Sequence, residues 1–299
     1  MPSYSLEHLR TLVAVLDEGT FEAAAARLHV TASAVSQRIK AMEEATGQVL
    51  VQRTNPASAT SAGASVARYA RQVDLLGEDL RRELGEDGQE KAAYSIAVAV
   101  NADSLATWFL PALATAHERF GAIFDVHRDD EEYTVTLLRS GTVMAAVTAA
   151  EHPVQGCTST LLGVMRYRAV AAPTFVARWH PRRDLDDLDR LPLVNFDRKD
   201  ALQADFVRKA VGREPSGPRH LIPTSADFAR SILLGLGWGL LPEQQADVHL
   251  RADALVELAP GHPVDVRLHW QRWNLSSPLL DGLSEVVRDA ARTQLRPAP

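Results

Sequence analysis

AAAARLHVTASAVSQRIKAMEEATGQVLVQR occupies residues 23–53, and its spacing decides what stands at the front of the chain. Thr31 precedes an apolar-periodic run and offers a side-chain oxygen to the free N–H groups of a helix start. The reading is a helix from Thr31 to about Ala45, closed by Gly47. Within it Val35, Ile39 and Met42 stand 4 and 3 apart and share one face. Ser33, Ser36, Gln37 and Lys40 gather on the opposite face, and with Thr31 at the helix start they are candidate DNA contacts. Short hydroxyls, an amide and a cation suit the base edges and phosphates of a major groove. Arg38 falls at the boundary of the two faces, where a flanking phosphate is the expected partner.

Upstream, Leu6, Leu9, Val13 and Leu16 form one helical face, and Gly19 breaks that helix. Thr20 caps a second helix through Leu28. The run Ala23 to Ala26 supplies small side chains where two helices cross through a tight turn, and Phe21, Leu28 and Val30 supply its core. Downstream, Val49 to Arg53 reads as a strand, Asn55-Pro56 as a turn and Ala57 to Thr60 as the return strand. The expected unit is a winged helix-turn-helix over residues 1–60, with Arg53 ending the first wing strand, within reach of the DNA backbone or minor groove. Its cations are Arg10, Arg27, Arg38, Lys40 and Arg53, against Glu7, Asp17, Glu18, Glu22, Glu43 and Glu44. A net of about −1 leaves DNA affinity to the placement of few cations, to helix N-termini and to the presence of two copies.

Ser61 to Leu84 is a long uninterrupted helix whose Val66, Tyr69, Val73, Leu76 and Leu80 alternate by 3 and 4, a heptad seam. Such a stripe suits pairing with a second copy, or packing on its own domain. With the polar GEDGQEK that follows, residues 61–91 read as a dimerisation linker and hinge.

The pattern then turns α/β. Expected strands are Tyr94–Val100, Ile123–Arg128, Met144–Thr148, Tyr167–Ala172, Leu193–Phe196, His220–Pro223 and Arg267–Trp273. Expected helices are Leu105–Phe120, Thr134–Ser140, Phe175–Trp179, Leu202–Val211, Phe228–Leu236 and Leu279–Leu295. The alternation predicts parallel sheets covered on both faces. Two subdomains are expected, 92–165 plus 268–299 and 166–267.

A chain of 299 residues, 46% hydrophobic and 23% charged, can build several packed cores. The net charge of −6 argues against a general nucleic-acid coat and leaves room for one local reading face. Cys157 is the one cysteine, which excludes an internal disulfide and a cysteine-rich zinc site and fits a reducing compartment. MPSYSLEHLR has no apolar core of a signal peptide, and Leu12 to Leu16 is far short of a membrane span. The expectation is a cytoplasmic protein that does not engage membranes. No nucleophile elbow, Walker loop, zinc-helix or dinucleotide glycine pattern is present, and no two of the ten histidines stand four apart on one helix. GLGWG, residues 235–239, lacks the dinucleotide spacing and reads as a tight turn. Neither an enzyme nor a metal site is expected.

FEAAAARLHVTASAVSQRIKAMEEATGQVLVQR, with the later TSAG, resembles the N-terminal domain of the LysR-type transcriptional regulators. IAVAVNADSLATWFLPAL, AVTAAEHPVQGC, GVMRYRAVAAPTFVARW, FDRKDALQ and GLGWGLLPE are similar to the LysG/ArgP group, which controls export of basic amino acids. The resemblance covers the whole chain. It implies a winged helix, a linker helix and a two-subdomain effector module like the periplasmic binding proteins. It also implies a homodimer or homotetramer on a double-stranded operator, contact with RNA polymerase, and lysine or arginine as effector with no other cofactor. The wing TNPASAT departs from the group in having no cation after Arg53. A different small-molecule effector, a replication-initiation inhibitor and a solute-binding protein without a DNA role are the alternatives.

Ligands of open α/β sheets bind at the carboxyl ends of strands. The first such end carries Asn101, Asp103, Ser104 and Thr107, suited to an α-carboxylate at a helix start or, alternatively, to plain N-capping by Asp103 or Ser104. The run RDDEEYT brings Asp129, Asp130 and Glu132, as partners for cations or as a solvated loop. Thr148 ends the next strand. The second half offers Asp197 with Asp200 and Arg198 in NFDRKD, and Thr224, Ser225 and Asp227 in PTSADF.

Overall fold

Ser5, Thr20, Thr31 and Thr60 each accept a hydrogen bond from the backbone N–H three residues on. These caps start α1 (Leu6–Glu18), α2 (Phe21–Arg27), α3 (Ala32–Thr46) and α4 (Ser61–Glu83). The computed structural model describes residues 4–84, 95–128, 131–180 and 184–298. The GEDGQEK linker and Tyr94 lie outside the described residues.

Leu12, Val15, Ala24, Val35, Ile39, Met42 and Leu50 close the core of the N-terminal unit. Of the four alanines, Ala24 and Ala25 are buried at the helix crossing while Ala26 is exposed. The wing is shorter than its sequence suggests: β1 is Val51–Gln52 and β2 is Ser58–Ala59, antiparallel. Thr60 accounts for the difference. Its N–H donates to Leu50 O at 3.0 Å and its hydroxyl to Val49 O at 2.7 Å, so the base of the wing is tied to the cap of α4.

α4 has two distinct faces. Gly63, Ala67, Ala70 and Leu75 are buried within the chain. Tyr69, Leu76 and Leu80 of the heptad seam are 53%, 42% and 54% exposed, and Val66 and Val73 are half-buried. Val66 packs against the N-terminal core, while Tyr69, Leu76 and Leu80 leave the rest of the seam facing away from the chain.

The C-terminal module begins with β3 (Ser95–Val100). The helical stretch after it runs through α5 (Ala102–Ser104), a π turn (Leu105–Phe109) and α6 (Leu110–Phe120). Next come β4 (Ile123–Arg128), α7 (Glu131–Ser140), β5 (Ala145–Thr148) and the long β6 (Cys157–Ala171). Then follow α8 (Pro173–Trp179), β7 (Leu193–Asn195), α9 (Leu202–Val211), β8 (Arg219–Leu221) and α10 (Ser225–Leu233). The chain ends with β9 (Gly239–Pro242), α11 (Glu243–Arg251), β10 (Val256–Glu257), β11 (Val264–Trp273) and α12 (Pro278–Gln294).

The expectation of parallel sheets is corrected. β3 is parallel to β4 and β5, and β7 to β8. β6 and β11, however, form a long antiparallel pair from Val264↔Tyr167 to Trp273↔Cys157 and join both halves into one seven-stranded sheet. β9 and β10 extend it antiparallel to β6. The first half of β6 was not read as strand because Thr158, Ser159 and Thr160 carry no apolar periodicity; their β-branched and hydroxyl character was the available signal.

Gly163 sits midway along β6 at φ 148°, opposite Leu268, where the register of β11 shifts. A Cβ there would lie 2.8 Å from Arg296 O, so this crossover bend requires glycine. Trp108, Trp238, Trp270 and Trp273 are buried around the crossover strands. α4 docks on the module through Arg68, whose Nη1 donates to Gln155 O at 3.1 Å. Gly141, at φ 75°, lies directly over the Arg68 stem, and a Cβ on it would approach Arg68 Cβ to 2.6 Å. Among the described residues no helix is long and apolar enough to cross a membrane.

Candidate DNA-reading helix and effector cavity

α3 presents Ser33, Gln37 and Lys40 to solvent, with Ser36 half-buried beside them. Val35, Ile39 and Met42 hold the helix from below. Thr31 is exposed, and its hydroxyl oxygen caps the helix by accepting from Ala34 N at 3.1 Å. Lys40 lies 3.6 Å from Glu44 on the solvent face.

Arg38 lies half-buried at the boundary of the two faces. Its side chain is 20% exposed, its Nη1 reaches Thr11 Oγ1 at 3.3 Å and its Nη2 pairs with Glu7. It ties α3 back onto α1. Glu7 is 31 residues away in sequence, which no local reading connects to it. Arg53 is exposed, and its guanidinium lies over the Phe21 ring, 5.1 Å from the centroid, at the start of α2.

In the module a cavity of about 380 Å³ is lined by Asn101, Asp103, Arg128, Asp197, Asp200 and Gln203, with Phe196 on one wall. Asp103 accepts from Ser225 Oγ on Oδ1 at 2.8 Å and from Tyr167 OH on Oδ2 at 2.9 Å. Gln245 Nε2 donates in turn to Ser225 Oγ at 3.0 Å. Burial raises the Asp103 carboxyl above the ordinary range, the two hydroxyl donors oppose that shift, and the Asp200 charge adds to it. Burial and the neighbouring Asp103 push the Tyr167 phenol well up. Asp200 is also raised, by burial first, against the Phe196 and Leu202 amides that bond it. Arg128 stands over the Phe196 ring, 5.9 Å from its centroid. Asn101 Oδ1, Ser104 Oγ and Gln203 Oε1 are buried without a hydrogen-bond partner among the described residues.

Of the residues singled out in the sequence, Asn101, Asp103, Asp197 and Asp200 line this cavity, and Ser225 supports it from behind. Neither Asp103 nor Ser104 caps a helix; Asn101 holds the N-cap position without a side-chain bond. Thr107 donates to Asp103 O at 2.6 Å and does not line the cavity. Thr148 is buried and accepts from Ala150 N at 3.1 Å. Thr224 and Asp227 bond each other at 2.6 Å as the cap of α10, outside the cavity lining. Asp129, Asp130 and the Glu132 side chain lie outside the described residues. Arg128, Gln203, Tyr167 and Gln245 were not singled out in the sequence. Arg128 directly precedes the acidic run at a strand end, and that position was its signal. Among the described residues no group of three or more His, Cys, Asp or Glu side chains could hold a metal ion.

Residues 6–64 match the family model of the bacterial regulatory helix-turn-helix protein, lysR family, and residues 89–292 match the LysR substrate binding domain. The chain is a LysR-type transcriptional regulator. This regulator is 43% identical over 290 residues to the lysine export transcriptional regulatory protein LysG of Corynebacterium efficiens, covering 97% of this chain and 98% of that one. The crystal structure of ArgP from Mycobacterium tuberculosis superposes on this regulator with a TM-score of 0.85 at 40% identity, covering 97% of this chain and 98% of that chain. Full-length LysG from Corynebacterium glutamicum with bound effector Arg gives a TM-score of 0.80 at 38% identity, covering 98% and 100%. The regulator thus falls in the LysG/ArgP group, whose members are transcriptional regulators rather than enzymes.

Proposed function

We propose that this regulator reads operator DNA through Ser33, Ser36, Gln37 and Lys40 of α3, as a homodimer or homotetramer paired along the α4 seam. A basic amino acid, lysine or arginine, enters the cavity between the halves 92–165 plus 268–299 and 166–267. Its arrival changes transcription of a gene for amino-acid export. The observation that carries this reading is the charge of the cavity: among the described residues that line it, Asp103, Asp197 and Asp200 face one cation, Arg128. A basic amino acid brings two cationic groups and one carboxylate, the complement of that wall. About 380 Å³ lies at the small end of the range of ligand sites, roughly 300–1,000 Å³. The name of the Corynebacterium efficiens relative and the arginine in the Corynebacterium glutamicum structure support the same ligand class.

The test is a thermal-shift and calorimetric comparison of lysine, arginine and leucine, with operator binding followed by gel shift on the DNA upstream of the chain's own gene. Lysine or arginine should raise the melting temperature and alter the shifted complex. Leucine binding as tightly as arginine would refute the basic-effector reading, because leucine leaves the acids unpaired.

A further inference from the structure

AVTAAEHPVQGC, residues 146–157, takes no part in the cavity lining. It leaves the carboxyl end of β5, beside the crossover bend, and returns to the amino end, where α4 lies. The register fixes that course. Thr148 stands opposite His269, at the register shift of β11. Cys157 stands opposite Trp273, whose N–H donates to Met144 O just before β5. Between these points one side chain holds the backbone at three places. Gln271 of β11 is fully buried; its Nε2 donates to Ala150 O and His152 O, and its Oε1 accepts from Val154 N, each at 3.0 Å. Both amide hydrogens and the acceptor are thereby used within one loop. Of residues 149–156 only Val154 is buried, so Gln271 more than side-chain packing sets the course of this segment. At its far end the segment receives α4. Arg68 Nη1 donates to Gln155 O at 3.1 Å, and a Cβ on Gly156, at φ 82°, would lie 3.5 Å from that nitrogen. With Gly141 over its stem, Arg68 sits in a socket of two left-handed glycines.

We propose that segment 149–156 is the link by which the sensor module acts on α4, with Gln271 as the positioning residue that fixes it and Arg68 as the residue that reads it. This rests on the effector reading above and specifies its route to the DNA-binding unit. β11 passes into the second half through the shift at Leu268/His269, so a rotation of that half works on the strand that carries Gln271, two residues further on. A buried amide that holds three backbone groups cannot release one without leaving it unpaired, so the loop is carried along with the strand. Gln155 O then either seats Arg68 or lets it go. Those two arrangements are the discrete states through which the cavity and the DNA-binding unit bias each other.

The experiment has two arms, both on the full chain, with Gln271→Met and Arg68→Met. The first is amide hydrogen exchange without ligand. Gln271→Met should speed exchange in 149–156 and in the turn of α4 around Arg68, each by about tenfold or more, and leave α2 and α3 unchanged. The second arm measures arginine affinity with and without the DNA upstream of the chain's own gene. In the wild type the two affinities should differ by about 5–150-fold. In both variants the ratio should fall to within about twofold of unity. The DNA-free variants should bind arginine as the wild type does, because neither residue lines the cavity. A freed 149–156 beside an unchanged α4, or a wild-type ratio retained in Arg68→Met, overturns the inference. So does arginine affinity lost in the DNA-free variants, which puts the effect at the cavity and not in the link. Arg68→Met, a change in a half-buried side chain at the end of the loop, decides the matter should Gln271→Met fail to fold. A wild type that binds no basic amino acid, or binds arginine equally on and off DNA, overturns the functional reading instead, and the exchange arm then judges the link by itself.

Discussion

Replacing Arg38 by Ala separates two readings of one side chain. From the sequence it is a phosphate contact; in the fold it braces α3 on α1. The structure sets the size of the effect. The pair with Glu7 is worth under about 1 kcal/mol, because Glu7 is 67% exposed. The Arg38–Thr11 hydrogen bond adds about 1 kcal/mol. Thr11 keeps its bond to Glu7 O at 2.8 Å, so no buried hydroxyl is orphaned. Arg38→Ala should therefore cost about 1–2 kcal/mol of stability in the N-terminal unit, read as faster amide hydrogen exchange in α1 and α3. A double-mutant cycle with Glu7→Ala should show part of that cost as coupling. DNA affinity is then measured against salt. Each lost phosphate contact lowers the slope of log K against log salt by about 0.9, so a dimer that lost two would drop by about 1.8. A brace leaves the slope unchanged. An unchanged exchange profile together with a slope lower by about 1.8 would refute the brace.

Gln37→Ala should weaken operator binding by about 1–3 kcal/mol and leave binding to random DNA nearly unchanged, as measured by parallel titrations of both DNAs. Leu76→Glu places a charge in the exposed α4 seam and should reduce the assembly seen by light scattering while leaving helical content intact. Gly141→Ala meets both a left-handed φ of 75° and the Arg68 stem, so α4 should part from the module, and small-angle scattering should report a larger radius of gyration. Ligand-free Asp103→Asn should melt no lower than wild type at about pH 8, with its advantage shrinking as pH falls. The sign follows from a raised native carboxyl: the native state binds the proton more readily than the unfolded chain, so the ionised group costs stability above its raised value and not below the ordinary one.

What was legible in the sequence was local. Thr20, Thr31 and Gly47 bound α2 and α3 as read, because caps act over three or four residues. The 66/69/73/76/80 seam was legible as a stripe, and the fold leaves its Tyr69, Leu76 and Leu80 exposed. What was not legible depends on partners far along the chain. Arg38 meets Glu7, and Arg53 meets Phe21, only after α1, α2 and α3 pack. Asp103 was legible as a strand-end acid, but its donors Tyr167 and Ser225 are 64 and 122 residues away. Thr224 and Asp227 bond each other in a local cap of α10, outside the cavity lining. The antiparallel crossover was hidden because the polar first half of β6 has no apolar alternation to announce it.

The β6–β11 pair also sets an order of assembly during synthesis. The N-terminal unit is closed by the cap at Thr60, whereas the central ladder of the sensor waits for Val264 and the residues after it. At a synthesis rate of about 5–20 residues per second, the roughly 200 residues between them take on the order of 10–40 s to emerge. A helical unit with short-range contacts folds in far less time than that. Each newborn chain therefore carries a finished DNA-reading head on the ribosome well before it can sense anything. Under the proposed α4 pairing, growing polypeptides made from neighbouring ribosomes on one messenger would meet in that interval, which would favour pairing between chains of the same transcript.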